Sequence, residues 1–245
     1  MGVRKGHGQI VMGEYTRDAG AGFYPLVLLM KTSLVTWVGV ALFLYFSLKN
    51  YKSMKSLSSF PLYLTIFYLG YLLVMTFPTK KIDRYMIPMV PYFAILAVLG
   101  YSQVEKLSKK LVPLLFLVFI TIPLISFFPH YFTYTSPLFG SVKRANTIIA
   151  QKPFGIAIPD LKQFIFERHG EYPKLGFLDV KPMKAIYMNS RVCDFRVCGS
   201  DDYDVLVIGI NEELPNHLGE RFAYDSSFFV NGLEYWKIYV KNDTL

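Results

Sequence analysis

Four long apolar runs follow one another through the first half of this chain. They are too many to hide in the single core that 245 residues can build. The first is Phe23–Leu48, interrupted at Lys31, a lysine close enough to the edge of the run to snorkel. The second is Phe60–Phe77, the third Tyr85–Tyr101 with Pro88 and Pro91, and the fourth Leu111–Phe128 with Pro113 and Pro123. A bilayer core of roughly 30 Å is crossed by about 20 helical residues, and by somewhat fewer at the lower limit. The runs therefore predict a multi-pass α-helical membrane protein with about four transmembrane helices, near 31–48, 60–77, 85–101 and 111–128.

Charge divides the chain the same way. Residues 1–129 carry 13 Lys and Arg but only four acids, Glu14, Asp18, Asp83 and Glu105; residues 130–245 carry 13 Lys and Arg against 14 Asp and Glu. The basic pI of about 9.3 thus belongs to the apolar half, which argues against nucleic acid as a partner, since that would place the cations on a polar surface. The expected organisation is an extracytoplasmic segment at 1–22, a transmembrane region at 23–129 and an extracytoplasmic α/β domain at 130–245. Lys49, Lys52 and Lys55 after the first run, and Lys106, Lys109 and Lys110 after the third, place those loops in the cytoplasm. That orientation leaves Lys80, Lys81 and Arg84 on the outer face, where they ask for another purpose.

The segment PTKKIDRYMIPMVP, Pro78–Pro91, sets those three cations around Asp83 between two apolar runs. Pro78 favours a break, and Pro88 and Pro91 restrict the helix of the third run. A stiff turn at headgroup depth would offer a compact lysine charge and an arginine fork to phosphate oxygens. Tyr85 has the character of an interfacial ring, and Asp83 is placed to orient Arg84 or Lys80. Two readings stay open, simple headgroup anchoring and a shaped phosphate site.

Three segments in order carry a resemblance: GHGQIVMGEYTRDAGAGFYPLVLLMKTS (6–33), TKKIDRYMIPMVPYFAIL (79–96) and PHYFTYTSPLFG (129–140). They resemble the C-terminal part of GT-C type glycosyltransferases, the group of protein mannosyltransferases and the lipid A aminoarabinose transferase (glycosyltransferase family 39-like). The resemblance implies sugar transfer from a polyprenyl-phosphate donor at the extracytoplasmic face of the cytoplasmic membrane. It implies donor-phosphate binding by Lys31, Lys80, Arg84 and Tyr85, with Asp83, His7 and Glu14 in support. It calls for no metal and no cofactor beyond the lipid-linked sugar itself. The family's catalytic carboxylate lies in an early loop without counterpart here, and the GEYTRDAG context of Asp18 does not match it, so no catalytic residue is carried over. The chain is then expected to be a fragment, the second half of a split enzyme, or an inactive relative, with the missing half as a partner. The alternative is a non-enzymatic membrane accessory protein that presents an outer domain.

The C-terminal residues read as a small α/β domain. Asp160–Arg168 suits a short helix ending at Gly170, and YDVLVIGI (203–210) suits a central strand. Phe228–Val230 and Tyr235–Val240 suit a hairpin about Asn231-Gly232. VIGIN lacks the glycines of a dinucleotide fingerprint. Cys193 and Cys198 are either a local disulfide or two thiols.

Overall fold

The computed structural model describes residues 8–49, 60–104 and 111–242. The chain divides into two compact units, Met1–Ala150 and Gln151–Leu245. Residues 130–150, which the sequence groups with the C-terminal domain, pack within the first.

In the first unit a short hairpin, β1 (Gln9–Val11) and β2 (Glu14–Thr16), precedes five helices: α1 (Phe23–Lys31), α2 (Leu34–Lys49), α3 (Phe60–Thr76), α4 (Met89–Ser102) and α5 (Leu111–Ser126). A 3-10 turn, Asp83–Met86, leads into α4, and α6 (Val142–Ile148) closes the unit. After α6 the chain returns to the hairpin. There Met12 N–H donates to Ile148 O at 2.8 Å and Ala150 N–H to Ile10 O at 3.0 Å.

The apolar runs are helical, but they do not form four membrane-crossing helices. Among the described residues no single helix is long and apolar enough to cross a membrane. The longest, α3, has 17 residues, or roughly 25 Å at 1.5 Å per residue. The expected first crossing is broken at Thr32–Ser33, and α1 and α2 meet there at 112°. The break has a local cause. Ser33 Oγ accepts the Thr36 N–H at 3.2 Å and starts a new helix, as an N-cap serine does. The third run loses its first turn to the 3-10 segment and Pro88, so that α4 has only 14 residues. The four-span architecture is therefore corrected to a set of short apolar helices.

These helices share a core of Phe23, Tyr24, Val27, Leu28, Val40, Phe43, Met86, Met89, Tyr92, Leu96 and Ala97. Glycines bring α2 and α4 together: a Cβ at Gly39 would lie 2.6 Å from that of Ala97, and one at Gly100 would collide with the Gly39 carbonyl. Tyr92 stacks on Tyr68 at 4.7 Å and joins α4 to α3. Much apolar surface still points outward, including Leu62, Phe67, Leu73 and Val74 of α3 and Leu117, Ile122 and Ile125 of α5.

The second unit holds α7 (Ile158–His169), β3 (Leu175–Phe177), α8 (Val180–Ile186), β4 (Val192–Cys193), β5 (Val205–Gly209), α9 (Asn216–Gly219), β6 (Phe222–Val230) and β7 (Leu233–Lys241). Its sheet runs β4-β3-β5-β7-β6, with β5 in the middle. β3 is parallel to both β4 and β5, while β7 is antiparallel to β5 and β6. All five β5 residues are buried, which is why their sequence reads as an unbroken apolar run. Asn231 and Gly232, at φ 48° and 80°, supply the left-handed pair that a tight hairpin needs. Gly170, at φ 77°, ends α7.

Candidate anion pocket

Lys31 closes α1, and its ammonium turns inward rather than out. It donates to the carbonyls of Phe132 at 2.9 Å and Tyr134 at 3.0 Å, and lies 5.4 Å from the centre of the Phe132 ring. Ser136 N–H donates to Met30 O at 2.6 Å, so the aromatic segment after α5 is held along the end of α1. Burial pushes the Lys31 ammonium below the usual lysine range, and Asp83 acts in the opposite sense. An ammonium carries three N–H donors. Two of them are met by these carbonyls.

A cavity of about 220 Å³ opens beside Lys31. Val27, Leu28 and Thr32 form one wall, and Asp83, Arg84 and Met86 of the 3-10 turn form another. Ile87, Val90, Tyr131, Phe132 and Tyr134 complete it. A second cavity of about 350 Å³ shares Lys31, Thr32, Val90, Tyr131 and Tyr134 with the first. It continues between Ala94 of α4 and Phe119, Ile120, Pro123 and Leu124 of α5. The two adjoin at these five shared residues. Arg84 and Asp83 line the first, and the second is lined by Ser33 and Thr36 at the α1–α2 break as well as by the apolar side chains of α4 and α5.

The three resembling segments thus meet at one place, through Lys31, through Asp83 and Arg84, and through Tyr131–Tyr134. The remaining candidates lie elsewhere. Lys80 is exposed and does not line either cavity. Tyr85 accepts a hydrogen bond from Tyr71 at its carbonyl, 2.5 Å away, and its ring lines neither cavity. Glu14 is exposed on β2, and His7 lies outside the described residues. Sequence reasoning counted Lys81 only among the cations of the turn and did not carry it over as a site residue; it is 2% exposed. The aromatic segment, which carries part of the resemblance, takes part through its main-chain carbonyls, which hold Lys31.

In the second unit, Glu212 accepts the Gly209 N–H at 3.1 Å and Asp179 accepts the Gly155 N–H at 3.0 Å. Burial raises the Glu212 carboxyl above its usual range, and the Asp179 charge adds to the effect. Cys193 and Cys198 are free thiols. Burial, with Cys198 beside it, pushes Cys193 up to about 12. No group of three or more His, Cys, Asp or Glu among the described residues is placed to hold a metal.

Comparison of the chain with protein-family models, with curated proteins and with solved structures finds no match.

Proposed function

We propose that the Lys31–Arg84 pocket receives the phosphate of a lipid-linked sugar donor. The chain is then the donor-binding portion of a glycosyltransferase whose catalytic carboxylate comes from elsewhere. The observation that carries this reading is the placement of Lys31 and Arg84, from separate elements, on one cavity, beside a second cavity lined largely by apolar residues of α4 and α5. A polyprenyl phosphate has this division of character, with an anionic head and a long apolar tail. In transfer, the acceptor attacks the anomeric carbon and negative charge grows on the departing phosphate oxygens. Cations fixed beside that phosphate stabilise the transition state more than the ground state. The outward apolar side chains of α3 and α5 support a lipid environment for the first unit.

The test uses the full chain and two probes, farnesyl phosphate and farnesol. The phosphate form should bind more tightly by at least about tenfold, the scale of one charge-assisted contact. Lys31→Met combined with Arg84→Gln should abolish the difference. Equal affinity for the two probes, or an unchanged double variant, overturns the reading.

A further inference from the structure

We infer that Lys81 is the positioning residue for this pocket: its buried ammonium latches the cationic turn to the segment between the N-terminal hairpin and α1 and to the end of α3. The inference rests on the anion-site reading above only for its ligand. Lys80 and Lys81 are neighbours of the same type with opposite fates, one exposed and one 2% exposed. A lysine is buried only where its charge is met.

Here the ammonium is met on three sides. It donates to Thr76 O at 3.0 Å, the last residue of α3, and to Pro78 O at 2.8 Å, just beyond it. A cation there also suits the negative end of the helix dipole. Its third neighbour is Asp18 Oδ1, at 3.7 Å. That same oxygen accepts the Gly20 N–H at 3.0 Å and fixes the turn leading into α1. The main chain beside Lys81 is tied as well. Its carbonyl accepts the Gln9 side-chain amide, and Ile82 N–H donates to the hydroxyl of Tyr24, a fully buried α1 residue, at 3.4 Å. Lys81 therefore sits where α3, the hairpin and α1 converge, two residues before the 3-10 turn whose Asp83, Arg84 and Met86 line the cavity. These joints fix α1 against the turn, and so set Lys31 and Arg84 on one cavity.

Lys81→Met keeps the aliphatic stem and removes the ammonium. With the full chain, its affinity for farnesyl phosphate should fall at least tenfold, and Lys80→Met should leave it unchanged. A readout independent of the ligand is the rate of Lys31 acetylation by acetic anhydride, mapped by mass spectrometry. In Lys81→Met that rate should rise several-fold as the turn leaves the Lys31 end of α1, with helical circular dichroism retained. If Lys81→Met does not fold, Asp18→Asn weakens the latch from its exposed side and should give a smaller change of the same sign. Wild-type rates at Lys31 in every variant that folds overturn the inference. Failure of wild type to prefer farnesyl phosphate, with the acetylation change intact, overturns the ligand reading alone.

Discussion

The ammonium of Lys31 donates to the carbonyl of Phe132 at 2.9 Å, across 101 positions of sequence. This one bond converts a lysine that interrupts an apolar run into a fixed cation at the floor of a cavity.

Its lowered pKa gives the pocket a defined response to pH. Between that lowered value and the ordinary 10.5, the folded Lys31 is neutral while an unfolded lysine still carries its proton. Anion affinity should therefore decline as pH rises through this window, while stability gains, because the unfolded state binds the extra proton there. Lys31→Arg should remove the decline, since a guanidinium keeps its charge. Titration calorimetry with farnesyl phosphate at a series of pH values reads the affinity, and urea unfolding over the same series reads the stability.

Two glycines on neighbouring helices should respond to alanine in opposite ways. Gly100→Ala drives a methyl group into the Gly39 carbonyl and should cost about 1–3 kcal/mol by overpacking. Gly70 in α3 has open space where its Cβ would stand, so Gly70→Ala should stabilise by up to about 1 kcal/mol. Thermal unfolding followed by circular dichroism separates them by the sign of the Tm change.

The second unit should lose stability as pH rises above the ordinary glutamate range. Glu212 has a raised folded pKa, so just above 4.5 the folded state holds a proton that the unfolded state has released. Its contribution is complete below the unfolded value and is lost through the raised one. Glu212→Gln, which keeps an oxygen for the Gly209 N–H, should flatten this dependence. It should also unfold at higher urea than wild type at neutral pH.

The two tryptophans fall one in each unit and should tolerate phenylalanine unequally. Trp236 donates its indole N–H to Ile156 O at 3.0 Å and packs on Phe177 with ring centres 5.1 Å apart. Trp236→Phe leaves that carbonyl unpaired and should cost about 1–3 kcal/mol. The Trp37 indole N–H is buried without an acceptor among the described residues, so Trp37→Phe forfeits no such bond and should cost less. Urea denaturation of each variant followed by circular dichroism, which does not depend on the removed indole, measures the two losses.

Local pattern alone was enough for several features, because their causes lie within a few residues. The apolar runs are helical, the buried run at 205–209 is the middle strand, and Asn231-Gly232 makes the turn that its left-handed tolerance allows. The density of cations and prolines at 78–91 also marked a region that the fold uses. Helix length was not legible in this way. A hydropathy run has no punctuation, whereas Ser33 capping a new helix and the 3-10 turn before Pro88 cut the runs below crossing length.

Which lysine serves the site was decided by tertiary structure alone. Lys80 and Lys81 are chemically identical and adjacent, and no local rule separates them. Lys81 is drawn inward because carbonyls at and just beyond the end of α3 and the Asp18 carboxylate between β2 and α1 meet at its position, and Lys80 is left to solvent. The pocket has the same kind of origin: Lys31 and the carbonyls that hold it are far apart in sequence, and only the folded backbone brings them within hydrogen-bonding distance. Sequence specified the charges and the apolar surface, and long-range packing assigned them their partners.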